Sequence, residues 1–168
     1  MIEFLFMDVD GTLTDGKIYM GEQGELMKAF DIKDGCGIKV LLPEYNIVPI
    51  VITARSSLIL ENRCTELGIQ HLYQNVNQKL KKMIEIINQI SCNTGIKHGL
   101  DSCAYIGDDI IDLPCMDAIK KAGGVIGCPN DAVEKVLSIS DYVASKKGGE
   151  GAVREFIEWI ICRNAKGR

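Results

Sequence analysis

Short, almost uninterrupted apolar runs alternate along this chain with segments of helical periodicity, and this alternation is what most constrains the fold. Residues 2–7, 47–52 and 103–106 are runs of the first kind, as expected for strands that are buried on both faces. Segments with helical spacing of apolar residues lie between them, the longest at residues 77–90. Strands that alternate with helices usually form a parallel sheet. We therefore predict an α/β fold with a mainly parallel sheet.

The remaining segments complete this architecture. Extended pieces at residues 17–20 and 25–30 flank a turn at 21–24, which predicts a small β-hairpin. We expect Asp34 to cap a helix that runs to about residue 44. Further helices are predicted at residues 56–67, 110–120, 131–137 and 151–161, and short strands at 71–73, 123–127 and 142–144. No repeat or linker interrupts the pattern, so we predict one domain over residues 1–168, with a Rossmann-like parallel sheet flanked by helices and a β-hairpin flap.

The charge balance argues against nucleic acid as a partner. The net charge is −4 at pH 7, whereas nucleic-acid-binding domains usually present a basic face. No apolar run approaches the roughly 20 residues that a membrane-spanning helix needs. The chain shows no signal peptide before the first strand, and its seven cysteines include no C-x-x-C pair. We therefore expect a cytoplasmic protein with free thiols and no membrane partner.

Polar residues follow the predicted core strands at the points where those strands end. Asp8 and Asp10 follow the first strand, Thr53 follows the second, and the sequence Gly-Asp-Asp-Ile-Ile-Asp at residues 107–112 follows the third. Lys79 lies near the start of the long helix. In open parallel sheets, ligands bind at the carboxyl ends of the strands. We therefore expect these groups to meet in one crevice.

The residue types in this crevice favour phosphoryl transfer. Converging carboxylates repel one another unless a cation neutralises them, and oxygen ligands select a hard ion such as Mg²⁺. A carboxylate can attack phosphorus, and a second one can protonate the leaving group. Taken singly, each group has a simpler interpretation: Asp8 as a turn residue, Thr53 as a helix cap and Lys79 as a solvated lysine. Their common placement at strand ends favours the catalytic interpretation.

These residues together resemble the four signature motifs of the haloacid dehalogenase (HAD) superfamily. The motifs are the sequence Asp-Val-Asp-Gly-Thr-Leu-Thr at residues 8–14, then Thr53, Lys79 and residues 107–112. The resemblance runs through the chain in the motif order. It implies that Thr53 and Lys79 are catalytic residues that hold the phosphate.

The resemblance also implies roles for the acidic residues. Asp8 is the expected nucleophile, and Asp10 is the expected general acid and base. The Mg²⁺ cofactor is expected to bind Asp8, the backbone carbonyl of Asp10, and Asp108. Asp109 and Asp112 are expected to support this site. The presence of Asp10 favours a phosphatase or phosphotransferase.

The spacing of the motifs leaves no room for a cap domain. Only the hairpin and one helix–strand unit fit between residues 14 and 53, and only a helix and a short strand fit between 53 and 79. A monomer of this kind would leave its site open, so either a macromolecular substrate or a neighbouring subunit would have to cover it. The hairpin at residues 17–30 is rich in apolar residues, which is consistent with burial against another subunit. Alternatively, one face of the hairpin packs on its own sheet.

Three segments are similar to the capless, tetrameric 3-deoxy-D-manno-octulosonate 8-phosphate (KDO 8-phosphate) phosphatases of lipopolysaccharide biosynthesis. They lie at residues 31–35, 107–114 and 148–155. The resemblance implies a homotetramer that acts on a small sugar phosphate, with subunits completing each other's sites. It implies that the glycine-rich residues 148–151 close over a neighbouring site. The substrate-binding residues it implies, besides Asp10 and Lys79, are Asp31, Ile32, Lys33, Asp34, Gly35, Arg55 and Arg63.

Other functions stay open at this point. Related phosphatases of nine-carbon sugar acid 9-phosphates tend to have glutamate at the position of Arg55, so Arg55 favours the eight-carbon substrate. Ala54, Asn75 and Asn77 depart from the usual pattern of glycine and aspartate around the second and third motifs. A non-catalytic regulatory module and a phosphoacceptor signalling domain are the non-enzymatic alternatives. The former usually lacks a catalytic acid or the motif lysine, and the latter has these residues in a different order.

Overall fold

The computed structural model describes residues 1–166. Its centre is a six-stranded sheet in the order β5-β4-β1-β6-β7-β8, and every neighbouring pair in it is parallel. The strands are β1 Phe4–Met7, β4 Val48–Ile52, β5 His71–Tyr73, β6 Cys103–Ile106, β7 Val125–Cys128 and β8 Tyr142–Val143. The strands β2 Tyr19–Gly21 and β3 Gly24–Met27 form a separate antiparallel hairpin. The predicted α/β class, parallel sheet and hairpin are confirmed.

Helices cover both faces of the sheet, which explains why the central strands are apolar at every position. Leu5 and Met7 of β1 belong to one core, and Phe4 and Phe6 belong to the other. The helical segments are α1 Ile32–Cys36, α2 Leu42–Glu44, α3 Leu58–Leu67, α4 Lys79–Thr94, α5 Leu113–Ala122, α6 Glu134–Ile139 and α7 Ala152–Lys166, with a π-helical turn at Gly37–Leu41 and a 3₁₀ turn at Leu100–Ser102. Helix α7 packs on the first core, and helices α4 and α5 pack on the second.

Helix α4 presents a different face to the core than its periodicity suggested. The sequence predicts a helix over residues 77–90 with Ile84 on the buried face, but the helix spans Lys79–Thr94 and Ile84 is 42% exposed. The buried residues are instead Lys79, Met83, Ile86 and Ile87. The ion pairs of Lys79 with two buried aspartates explain the shift. These ion pairs orient the helix so that the face containing Lys79, Met83 and Ile86 lies against the sheet.

The helix after the hairpin begins earlier than predicted, and Asp34 is not its cap. Asp31 is the N-cap, and its Oδ1 accepts backbone N–H groups of Lys33 and Asp34 at 2.6 and 3.2 Å. Asp34 is buried inside α1, and its Oδ1 accepts the backbone N–H of Arg154 at 2.7 Å. Asp34 therefore caps the distant helix α7, whose first N–H groups have no partners within their own helix. Sequence periodicity carries no signal for a cap across 120 residues.

The hairpin projects from the fold with its apolar side chains exposed. Ile18, Met20, Leu26 and Met27 are 49%, 64%, 67% and 48% exposed. Phe30, at the end of the hairpin segment, instead packs on the core that contains Leu5 and Met7 of its own chain. Between β1 and β4 the structure holds only this hairpin and the segment α1–α2, so no cap domain is inserted there. None of the helices described is long and apolar enough to cross a membrane.

Candidate active site

Three adjacent strands deliver the predicted site residues to one edge of the sheet. Met7, Val51 and Ile106 pair in register, so the chain leaves the sheet side by side at the ends of β1, β4 and β6. Asp8 and Asp108 follow two of these strands directly or by one residue. Strand ends of a parallel sheet face the same way, and this is why residues 100 positions apart in the chain meet here.

Three carboxylates lie close enough to share one metal ion. One oxygen from each of Asp8, Asp108 and Asp112 lies within 4.8 Å of the others. The Lys79 ammonium is 2.7 Å from Oδ1 of Asp8 and 2.8 Å from Oδ1 of Asp112. Three negative charges and one positive charge leave an excess of two negative charges in a mostly buried space. An oxygen-only donor set with this charge suits a hard divalent cation.

The pKa values of these groups reflect their burial first and the neighbouring charges second. Burial, reinforced by the charge of Asp112, raises the pKa of Asp8 to about 7. Burial also raises the pKa of Asp108 to about 7, although a hydrogen bond from Thr12 opposes the shift. For Lys79, burial opposes the charged form, but the charges of Asp8 and Asp112 outweigh it and raise the pKa of the ammonium. A bound cation would favour the ionised carboxylates.

Asp112 organises the cluster from within. It is fully buried, and its Oδ1 accepts hydrogen bonds from Lys79 at 2.8 Å and from the Tyr105 hydroxyl at 2.7 Å. Its Oδ2 accepts the backbone N–H groups of Asp108 and Asp109, each at 3.2 Å. With four donors around it, this carboxylate holds the loop after β6 against the start of α4. The sequence did not reveal Tyr105, which lies in a uniformly apolar strand.

The loop after β1 is packed directly against Asp108. The Thr12 hydroxyl donates to Oδ1 of Asp108 at 2.9 Å. Gly11 has φ +97°, and a side chain there would overlap the Asp108 carboxylate. Only glycine adopts this positive φ and leaves room for the Asp108 carboxylate at no steric cost, because it lacks Cβ. The glycine of the first motif therefore lets two strand-end loops approach each other.

Asp10 lies beside a set of charges that the sequence analysis missed. The Lys28 ammonium hydrogen-bonds to Oδ1 of Asp10 and lies 3.0 Å from Glu25 Oε1. Arg55 Nη2 lies 3.4 Å from the same Glu25 oxygen, and Arg55 Nε is 3.8 Å from Oδ2 of Asp10. The Ser57 hydroxyl donates to the other Glu25 oxygen. Nothing in the periodicity of a short hairpin indicates that its lysine and glutamate turn toward the site.

Two further predicted residues occupy distinct positions at the sheet edge. Thr53 is buried, and its hydroxyl accepts the backbone N–H of Arg55 at 3.2 Å. This places the Thr53 side chain in the turn that carries Arg55. Asp109 is exposed, and its Oδ1 accepts the neighbouring N–H of Ile110 at 2.6 Å.

The predicted substrate-binding segment at residues 31–35 makes no hydrogen bond or ion pair to the carboxylate cluster among residues 1–166. Ile32 is 81% exposed and Lys33 is exposed. Arg63 stacks over the ring of Phe30 and forms an ion pair with Glu66 at 2.8 Å. The Arg63 guanidinium also lies where a side chain on Gly35 would be. Among residues 1–166, none of the hydrogen bonds or ion pairs of these residues reaches Asp8 or Asp10.

The glycine-rich segment contacts the first-motif loop of its own chain. The Gly149 N–H donates to the Thr12 carbonyl at 3.1 Å, and the Gly148 N–H donates to Oδ1 of Asp131 at 3.0 Å. A side chain on Gly148 would overlap the Gly11 carbonyl. The segment leads into α7, whose side chains fill the core. It is therefore a built-in support of the loop after β1.

Comparison with known proteins places this geometry in a family. No protein-family model matches the chain. The 3-deoxy-D-manno-octulosonate 8-phosphate phosphatase of Yersinia pestis is 41% identical over 165 residues, covering 98% of this chain and 82% of the relative. The same enzyme from Salmonella typhi is 38% identical with the same coverage.

Solved structures agree with the sequence relatives. The crystal structure of the Yersinia pestis phosphatase superposes with a TM-score of 0.86 at 41% identity, covering 96% of this chain and 81% of that one. The Moraxella catarrhalis phosphatase, solved in complex with magnesium, phosphate and KDO, has a TM-score of 0.82 at 38% identity, with coverage of 95% and 86%. The chain therefore belongs to the KDO 8-phosphate phosphatase family of the HAD superfamily.

Proposed function

We propose that this protein is a Mg²⁺-dependent phosphatase that hydrolyses KDO 8-phosphate to KDO and phosphate through an aspartyl-phosphate on Asp8. The observation that carries the proposal is the cluster of Asp8, Asp108 and Asp112 around Lys79, with ligand oxygens within 4.8 Å of one another. The family relationship supplies the substrate. We further propose that residues 1–168 act as one HAD-like domain.

The donor set fits Mg²⁺, and we assign its ligands as Asp8, the backbone carbonyl of Asp10, and Asp108. Asp112 already accepts four hydrogen bonds, so its role is to hold the other groups in place, with Asp109 beside it. When bound, the ion neutralises charge on the transferring phosphoryl oxygens. The raised pKa values of Asp8 and Asp108 support a site built to be completed by a cation.

We assign each step of the reaction to particular side chains of this protein. An oxygen of Asp8 attacks phosphorus, and the bond from phosphorus to the sugar oxygen breaks. Asp10 gives a proton to the departing sugar oxygen and then takes one from the water that attacks the aspartyl-phosphate. That second attack releases inorganic phosphate and restores the Asp8 carboxylate. Lys79 and Thr53 hold the phosphoryl oxygens during both transfers.

The sugar carboxylate is assigned to Arg55. Its buried Nε–H group has no hydrogen-bond acceptor among the described residues and lies 3.8 Å from Oδ2 of Asp10. A guanidinium binds a carboxylate through two parallel hydrogen bonds. Arg55 can therefore bind the acid end of the substrate.

We propose that neighbouring subunits of a homotetramer complete the site. Residues 31–35 and Arg63 make no hydrogen bond or ion pair to Asp8 or Asp10 of their own chain among residues 1–166, and we assign them to the site of an adjacent subunit. The exposed apolar residues of the hairpin support subunit contact there, because such patches usually mark an interface. The expected setting is the cytoplasm, where the product enters lipopolysaccharide biosynthesis.

The experiment that tests the substrate is a side-by-side assay of phosphate release. KDO 8-phosphate and a nine-carbon 2-keto-3-deoxy sugar acid 9-phosphate are compared, each with Mg²⁺ and with a chelator. We expect a Mg²⁺-dependent preference for the eight-carbon substrate. A preference for the nine-carbon substrate would retain the mechanism but contradict the role of Arg55. Absence of release from both would refute the proposed function.

The nucleophile is tested by Asp8→Asn. An amide cannot attack phosphorus as a carboxylate does, so we expect turnover to fall below detection while the fold is retained. Circular dichroism checks the fold, and mass spectrometry of the trapped protein checks for the phosphoryl adduct. Asp117→Asn is the matched control, because Asp117 is an exposed aspartate on α5. Turnover by Asp8→Asn at more than a trace level would contradict the mechanism.

A further inference from the structure

Lys28 is a buried cation that the family motifs do not include. It directly follows β3, and its side chain is only 2% exposed. Its ammonium hydrogen-bonds to Oδ1 of Asp10 and pairs with Glu25 at 3.0 Å. A buried ammonium is costly unless it is paired and hydrogen-bonded. The two carboxylates therefore determine where this lysine can lie.

Glu25, Lys28, Arg55 and Asp10 form a closed set of four charges, which we call the hairpin ion network. Glu25 contacts both cations, and its second oxygen accepts the Ser57 hydroxyl. The network combines two cationic side chains with two carboxyl groups. It joins the hairpin strand β3 to the loops after β1 and β4. Glu25 is held through both of its oxygens.

The two carboxyl oxygens of Asp10 have different partners in the hairpin ion network. Oδ1 is engaged by Lys28, whereas Oδ2 accepts no hydrogen bond among residues 1–166. Arg55 Nε lies 3.8 Å from Oδ2, beyond hydrogen-bond distance. A carboxyl group fixed through one oxygen keeps the other oriented in a constant direction. Such orientation matters because a small misplacement of a reacting group can cost about 100-fold in rate.

We infer that Lys28 is the positioning residue for Asp10, and that Glu25 holds Lys28 in that role. Lys28 fixes Oδ1 so that Oδ2 meets the oxygen of the leaving group. This inference rests on the proposed function, in which Asp10 protonates that oxygen. It also assigns the hairpin a part in the chemistry beyond subunit contact. Lys28 itself does not touch the reacting atoms.

The leaving group distinguishes positioning from mere anchoring of the hairpin. The value of kcat/KM covers the steps up to departure of the leaving group. Phenolate needs a proton from Asp10 to leave readily, whereas p-nitrophenolate leaves without one. Neither phenyl phosphate nor p-nitrophenyl phosphate has a carboxylate, so contacts of Arg55 with an acid group affect neither assay. A change confined to phenyl phosphate therefore reports on Asp10.

The decisive variant is Lys28→Met, measured with both aryl phosphates at saturating Mg²⁺. We expect kcat/KM to fall about 10- to 100-fold for phenyl phosphate, a part of what a general acid contributes. For p-nitrophenyl phosphate we expect a loss of about 3-fold or less, since proton donation is not needed there. Lys28→Arg keeps a cation with several donors and should recover most of the phenyl phosphate activity. Equal losses for the two substrates would overturn the inference.

Two further variants complete the test. Lys17→Met is the control, because Lys17 is a 73% exposed lysine of the same hairpin whose one ion pair within residues 1–166 is with Asp15. It should match the wild type on both substrates. If Lys28→Met does not fold, Glu25→Gln replaces it, since it removes one partner of Lys28 and keeps the side-chain shape. It should show the same selective loss, and uniform losses would overturn the inference. A wild type inactive on every phosphate would instead refute the proposed function.

Discussion

Replacing Asp112 with asparagine should destabilise the protein because four donors converge on this carboxylate. Oδ1 accepts hydrogen bonds from Lys79 and Tyr105, and Oδ2 accepts hydrogen bonds from two backbone N–H groups. An asparagine side chain offers one oxygen and one NH₂ group. Whichever way the amide is oriented, two of the four donors lose their acceptor.

The size of the effect follows from the burial of the site. Each buried donor left without a partner costs about 1–3 kcal/mol, so two cost about 2–6 kcal/mol. Removing one negative charge relieves repulsion with Asp8 and Asp108, which offsets part of this. We expect a net loss of about 2–4 kcal/mol in the free energy of unfolding. At about 2–4 °C per kcal/mol for a chain of this size, Tm should fall by about 4–16 °C.

The assay is urea unfolding at one fixed protein concentration, followed by circular dichroism and by the fluorescence of the single tryptophan, Trp159. Asp117→Asn makes the same chemical change at an exposed position of α5 and should stay within about 0.5 kcal/mol of the wild type. Tyr105→Phe removes only one donor and should cost about 1 kcal/mol. An Asp112→Asn variant within about 0.5 kcal/mol of the wild type would refute the reasoning.

Two other perturbations test the supports of the site. Gly148→Ala should lower both Tm and phosphatase activity, because its side chain would overlap the Gly11 carbonyl; in Gly21→Ala the nearest atom lies at 3.6 Å, and thermal unfolding should show little change. Asp34→Asn should alter the pH dependence of stability. Burial raises the pKa of folded Asp34 from 3.8 to about 6, so the wild type loses stability as pH rises from about 4 to 6. The neutral variant lacks this loss, which amounts to at most roughly 3 kcal/mol; parallel stability curves for the two proteins would contradict the assignment.

The fold class was predictable because it depends on local patterns. Uninterrupted apolar strands and intervening helical segments are characteristic of a sheet covered on both faces, and the structure has that sheet. The helix predicted at residues 56–67 is present as α3, with Ser57 as its N-cap and Gly68, at φ +74°, at its end. The buried face of α4 could not be predicted in this way. The ion pairs of Lys79 with residues of two other segments determine which face is buried.

The sequence by itself indicated which residues lie at one edge of the sheet. Asp8, Thr53, Lys79 and Asp108 follow strands or begin a helix, and a parallel sheet brings all strand ends to one side. The tertiary structure alone decided the partners of these residues. Contacts between distant segments bring Lys28 and Tyr105 to the site. Contacts of the same kind make Asp34 a helix cap and Gly148 a support of the loop after β1. Such contacts depend on side-chain direction and loop packing, for which a single chain has no periodic signature.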